Sequence, residues 1–115
     1  MSALLVLTDA YKFYFCSSPV DMRKSFDGLQ GVAEKHMHKC VEKNKKEVFI
    51  FLNKSKTHIK LLLHENNGFT LLYRRQKQRF TWPLLDTEDG SIKLTAAEVL
   101  SVLGGLTLHR LQKRV

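Results

Sequence analysis

The residues best suited to chemistry lie between Tyr73 and Trp82. Arg74, Arg75, Lys77 and Arg79 fall within this stretch, beside Tyr73, Phe80 and Trp82. Cationic side chains suit phosphate oxygens, and exposed aromatic rings can stack on nucleobases. Lys54, Lys56 and Lys60 join the cluster if a hairpin brings residues 58–64 against 69–74. A structural reading stands beside this one: Phe80 and Trp82 as core, and the arginines as a solvated strand face. The sequence holds no Gly-rich phosphate loop, zinc-finger spacing or helix-turn-helix pattern.

Other chemistries fit less well. His36-x-His38-x-Cys40 resembles a metal motif, but on a helix residues two apart diverge by about 200° around the axis. His36 and Cys40 would share a face there, as a packed and inert pair. Metal-dependent phosphoryl transfer needs convergent carboxylates. Asp21 and Asp27 read as helix-start residues, and Asp86, Glu88 and Asp89 as turn residues near Gly90. Ser17 and Ser18 lack a nucleophile-elbow setting, and neither Cys16 nor Cys40 has an evident base.

The elements that must position these groups follow from local pattern. Tyr11–Cys16 is aromatic-rich and reads as a strand. Ser18, Pro19 and Asp21 form a helix-start signal. Met22, Phe26, Leu29, Val32, Ala33, Met37 and Cys40 recur at helical spacing, which predicts a long amphipathic helix reaching about Val41. Gly28 and Gly31 inside it suggest that another backbone packs close. Val48–Leu52 is a continuous apolar run, as a buried central strand requires. Lys54-Ser55-Lys56 reads as a turn and His58–His64 as the next strand. Asn67-Gly68 fits the centre of a type I′ hairpin turn, with Phe69–Arg74 returning. Arg79–Trp82 could extend the sheet before Pro83. Asp89-Gly90 marks a turn and Ile92–Leu94 a short strand. Thr95 and Glu98 then form a capping box for a short apolar helix that ends at Gly104-Gly105.

Together these predict an α+β domain spanning 1–115. Its mainly antiparallel sheet has about four to six strands, a long helix on one face and a short C-terminal helix. The 115 residues suffice for one core without staples. A net charge of +8, from 19 Lys and Arg against 11 Asp and Glu, favours polyanionic partners. No apolar stretch is long enough to cross a membrane, and Ser2–Leu7 is too short for a signal sequence. The two cysteines, without paired spacing, read as free thiols of a cytoplasmic protein.

Pro19-Val20-Asp21-Met22-Arg23-Lys24-Ser25-Phe26-Asp27-Gly28-Leu29 resembles the Asp-Met-Arg-x-x-Phe-Asp-Gly-Leu hallmark of a known family. Three more blocks agree in order: Val48–Asn53, Ile59–Leu62 with Asn67-Gly68-Phe69, and Arg79-Phe80-Thr81-Trp82-Pro83. Leu94-Thr95 and Leu103-Gly104-Gly105-Leu106 fit its closing helix. Over about residues 11–108 the chain is similar to TnpB, the second open-reading-frame protein of the insertion sequences numbered sixty-six. The much larger RNA-guided nuclease of the same name is unrelated to this resemblance. The family implies a non-catalytic accessory role in bacterial transposition, beside a larger acid-triad transposase and its element-end DNA. No cofactor, metal or membrane partner is expected.

The resulting binding candidates are Arg23, Lys24, Lys54, Lys56, Lys60, Arg74, Arg75, Lys77, Arg79 and Trp82. Arg23 is read as a partner contact, while Asp21 and Asp27 are read as local structure, Asp27 pairing with Arg23 at i,i+4. Two alternatives remain: a small metal-dependent nuclease, which requires Asp21, Asp27, Asp86 and Asp89 to converge, and a purely structural oligomer.

Overall fold

A computed structural model describes residues 8–39, 46–65, 68–80 and 90–104. In chain order its elements are β1 (Lys12–Cys16), α1 (Phe26–Lys35), β2 (Glu47–Leu52), β3 (His58–Glu65), β4 (Gly68–Arg75), β5 (Ser91–Leu94) and α2 (Ala96–Gly104). The strands form one five-stranded sheet in the order β4-β3-β2-β1-β5. β1 and β2 pair in parallel through the α1 crossover, and the remaining pairs are antiparallel. The α+β class and the mainly antiparallel sheet therefore agree with the sequence pattern.

The helix arrangement agrees only in part. The short C-terminal helix is present as expected, but the helix expected to be long is short, and the two cover opposite faces. Phe13, Phe15, Val48, Ile50, Leu52, Ile59, Leu61 and Leu63 pack with Ala96, Val99 and Val102 of α2. Tyr14, Cys16, Phe49, Phe51 and Leu62 pack with Leu29, Val32 and Ala33 of α1. Alternate residues of one strand thus face different helices. This is why Val48–Leu52 of β2 is apolar without interruption: both faces of that stretch are buried.

α1 is shorter than its apolar periodicity suggests, for identifiable reasons at both ends. Val20 donates its amide to the Leu52 carbonyl at 2.9 Å, which keeps Pro19-Val20 alongside the end of β2. Asp21 then closes a tight turn, accepting from the Arg23 amide at 2.8 Å. The carbonyls of Met22 and Lys24, which a helix would use internally, instead accept from Lys60 Nζ. The helix starts only after Ser25, which makes no side-chain cap. At the other end His38 adopts φ 55°, and the Lys39 amide donates to Ala33 at 2.9 Å. That six-residue bond closes the helix. Met22 and Met37 still pack against the α1-side core, from irregular backbone.

Gly28 and Gly31 are not sites of backbone approach. A Cβ at Gly31 meets nothing within 4 Å, and one at Gly28 meets the Lys24 side chain at 3.1 Å. The close approach occurs at Gly90, where a Cβ would land on the His36 carbonyl. Gly90 also accepts from the Ser17 amide at 3.0 Å, joining the start of β5 to the end of β1.

The hairpin lies one residue from its expected register. Glu65 is opposite Gly68, so Gly68 belongs to β4; Asn66 and Asn67 lie outside the described residues. The capping box of α2 forms as expected. Thr95 N donates to Glu98 Oε1 at 2.8 Å, and Glu98 N to Thr95 Oγ1 at 3.2 Å. Asp9 adds a cap from a distance, accepting from the Ala96 amide at 3.0 Å.

Candidate functional site

β4 is an edge strand, and the cationic residues gather at its C-terminal end. Register pairs His58 with Arg75, Ile59 with Arg74 and Lys60 with Tyr73. Beyond β4 the chain turns back along the β2–β3 connection. Gln76 donates to the Thr57 carbonyl at 3.0 Å, and Phe80 to the Lys56 carbonyl at 2.7 Å. These bonds bring Arg74, Arg75, Lys77 and Arg79 beside the turn that carries Lys54 and Lys56. All four residues of the first group and Lys54 are exposed; Lys56 is half-buried.

Neighbours in sequence do not share a face. Leu71 packs on the α1 side and Leu72 on the α2 side, so Arg75 and Arg74 diverge by the same alternation. Lys77 and Arg79 lie on the segment that crosses to the α2 side. Phe80 ends that segment, 3% exposed in the α2-side core. Its structural reading holds, because sealing such a ring contributes about 1.5–3 kcal/mol. Trp82 lies outside the described residues, as do Cys40, Asp86, Glu88 and Asp89.

The turn bearing Lys54 is built by Asn53. Its Oδ1 accepts from the amides of Thr57 and His58 at 2.9 and 3.1 Å. Its backbone amide donates to the His58 carbonyl at 3.1 Å. Lys56 completes the turn at φ 63°. An open groove of about 380 Å³ separates this turn from the Asp21 loop, lined by Pro19, Asp21, Met22, Asn53, Lys54 and His58 among others. The N-terminal hallmark segment and the basic end of the sheet are therefore neighbours.

Arg23 and Lys24 occupy the exposed rim of that loop. Arg23 does not pair with Asp27; it grips Asp21. Its Nε donates to both carboxylate oxygens at 3.1 and 3.0 Å, and its Nη2 to Oδ2 at 2.7 Å. The Arg23 side chain hydrogen bonds, then the Arg23 amide, hold the Asp21 carboxyl down at about 2. Arg23 remains 91% exposed, so its guanidinium presents its outer edge to solvent.

Lys60 differs from the other cations. It is 9% exposed and donates to the Met22 and Lys24 carbonyls, both at 2.8 Å. Its ammonium also lies 5.2 Å from the centre of the Tyr73 ring. Lys60 thus positions the Arg23 loop against β3 and does not itself face solvent.

Sequence reasoning grouped Tyr73 with Phe80 and Trp82 and passed over Phe26 and Phe69 as its exposed companions. Phe26, Phe69 and Tyr73 are the exposed large hydrophobic residues among those described, at 39%, 37% and 54%. Phe69 and Tyr73 share the α1 side of β4 by alternation with Leu71. Tyr73 stacks on the His58 ring, and Phe69 lies near both Phe26 and His64. The alternating pattern of Phe69-x-Leu71-x-Tyr73 was the available signal.

Among the described residues no group of three His, Cys, Asp or Glu side chains could hold a metal ion. Asp21 is engaged by Arg23, and Asp27 is exposed in the first turn of α1. His36 and His38 lie at and beyond the helix end, both exposed, and the expected packed pair of His36 with Cys40 falls outside the described residues.

A family model described as IS66 Orf2 like protein matches residues 11–113. The chain belongs to the IS66 Orf2-like family. No curated protein and no solved structure matches it. Membership in the IS66 Orf2-like family makes the chain an insertion-sequence-associated accessory protein, linked to the transposition machinery. The matched span includes the Asp21 loop, the Asn53 turn and all of β4 with its cationic extension. No helix among the described residues is long and apolar enough to cross a membrane.

Proposed function

We propose that this chain is a non-catalytic accessory protein of bacterial transposition that binds element-end DNA through the basic end of its sheet. The observation that carries the reading is charge placement. The β3–β4 pairing and the return of residues 76–80 bring Lys54, Lys56, Arg74, Arg75, Lys77 and Arg79 to one end of the sheet, with Arg74 and Arg75 on opposite faces. No Asp or Glu occurs in 53–64 or 68–80 to offset them. Such a surface neutralises phosphates and releases counterions.

The Asp21 loop supplies a second surface. Asp21 and Lys60 hold it in a fixed shape, with Arg23 and Lys24 outermost, and it lies beside the basic end. A rigid loop of this kind suits a protein contact, and the element's transposase is the proposed partner. The protein works in the cytoplasm, with its thiols reduced.

Two measurements test this reading. In a salt titration with element-end DNA, log K should fall linearly with log salt, and each phosphate-contacting cation replaced by Ala should flatten the slope by about one. Pull-down by the transposase, with and without terminal-repeat DNA, should retain the wild type and lose an Arg23→Ala, Lys24→Ala variant. Absence of DNA binding at low salt removes the first surface, and unchanged capture of the variant removes the second.

A further inference from the structure

We propose that the Phe69–Tyr73 side of β4 is a stacking platform for unpaired bases, so that the protein prefers single-stranded nucleic acid to duplex. The inference rests on the reading of the basic end as a nucleic-acid surface, and adds which form of nucleic acid it takes.

Large aromatic side chains on a sheet usually go inside. Here Phe69 and Tyr73 stand open on the edge strand, and Phe26 stands open above Phe69. Phe69 and Tyr73 are four residues apart on one face, about 13 Å along the strand. Rings at that separation serve different bases of one extended strand. The Tyr73 ring is held by two neighbours while remaining 54% exposed. His58 stacks on it with centroids 6.0 Å apart and planes 27° apart, and Lys60 Nζ approaches its face. A side chain fixed in this way loses little rotamer freedom when a ligand arrives.

Charge selects the occupant. Continuing along the same face of β4, the next residue after Tyr73 is Arg75, and the basic end follows. A backbone of phosphates can run off the aromatic rings directly onto cations. A neutral peptide would meet the rings equally well, but nothing in it answers the cationic end; an acidic peptide answers the charge and is separated from a single strand by the capture experiment below. Duplex DNA answers the cations but not the rings, because its base faces are already stacked within the helix. Only a single strand offers open base faces and phosphates together.

The test is fluorescence anisotropy with a labelled mixed-sequence oligonucleotide, single-stranded and as its duplex, at low salt. The wild type should bind the single strand at least about tenfold more tightly than the duplex. Tyr73→Leu should weaken single-strand binding about tenfold and leave duplex binding unchanged, as loss of one stacking partner requires. Tyr73→Phe should retain binding. Phe69→Leu, which does not touch Lys60, should repeat the loss and covers the case in which Tyr73→Leu fails to fold. Equal affinity for both forms, indifferent to Tyr73→Leu but lowered by Arg74→Ala, Arg75→Ala, would overturn the platform and leave the basic end as a duplex binder. Failure to bind either oligonucleotide would overturn both readings of the surface. Loss of transposase capture by Tyr73→Leu with unchanged single-strand affinity would assign the rings to a protein partner and overturn the inference.

Discussion

Three glycines give a direct test of this packing, because the same substitution should act in opposite directions. Gly31 lies within α1 and an added Cβ meets nothing within 4 Å. Ala there costs no space and improves helix propensity, so Gly31→Ala should stabilise the protein by about 1 kcal/mol. At Gly28 the Cβ would touch Lys24 Cβ at 3.1 Å. The propensity gain is the same, but the neighbour must move, and the net change should be smaller than at Gly31. At Gly90 the Cβ would fall on the His36 carbonyl and within 2.5 Å of its carbon. Backbone atoms cannot swing aside as a side-chain tip can. The end of α1 and the start of β5 would have to separate, at a cost of about 3 kcal/mol or more. For a domain of this size about 1 kcal/mol moves Tm by 4–8 °C. Gly31→Ala should therefore melt about 4–8 °C higher, and Gly90→Ala more than about 12 °C lower, by calorimetry or by circular dichroism. Urea midpoints should keep that order with little change in slope. A Gly90→Ala protein as stable as wild type would refute the contact between β5 and the α1 terminus. A destabilised Gly31→Ala would refute the open surface assigned to that side of α1.

Three further outcomes follow from individual side chains. Lys60→Met should remove about 1.5–3 kcal/mol of stability in urea unfolding, since a charged donor to two carbonyls is lost, and should speed hydrogen exchange around Arg23; unmodified Lys60 should also react with acetylating reagents far more slowly than Lys54. Asp21 has a folded pKa of about 2 against an ordinary 3.8, so its contribution to the loop is complete above pH 3.8 and lost as pH falls through about 2. NMR titration should find the Asp21 carboxyl and the Arg23 Nε signal changing together near pH 2, and an Asp21 midpoint near 4 would contradict the chelate. Cys16 is 1% exposed and burial raises its thiol pKa, so peptide-mapped alkylation of the native protein at pH 8 should leave it unmodified until denaturant is added.

How far the fold could be read from sequence varied with the physics of each element. β2 was legible because burial on both faces leaves only apolar side chains, and the α2 start because Thr95 and Glu98 satisfy each other locally. α1 was over-extended because Met22 and Met37 bury themselves against the same core from non-helical backbone. Periodicity records which side chains are buried, not whether the chain between them is helical. What stops the helix at its start is Lys60, far away in the chain, and no local pattern announces such a donor. The same limit applied at the site. Arg74 and Arg75 are adjacent in sequence yet lie on opposite faces of β4, and Lys60 looks like a phosphate ligand until its carbonyl partners are seen. The Phe69 and Tyr73 alternation was present in the sequence, but exposure depends on β4 being at the edge, which strand order alone decides.

That strand order also governs how the chain assembles. β2, β3 and β4 form a meander from Glu47 to Arg75, whose contacts are local and can close as soon as this segment exists. β1, although nearest the N-terminus, is the inner strand between β2 and β5, with Phe13 opposite Leu94. During synthesis β1 can dock on β2 early, yet its other side stays open until β5 emerges. For that interval the nascent protein carries a bare aromatic strand edge, Phe13-Tyr14-Phe15, of the kind that recruits neighbouring chains. Synthesis of β5 therefore does more than lead into α2: it covers the open side of β1.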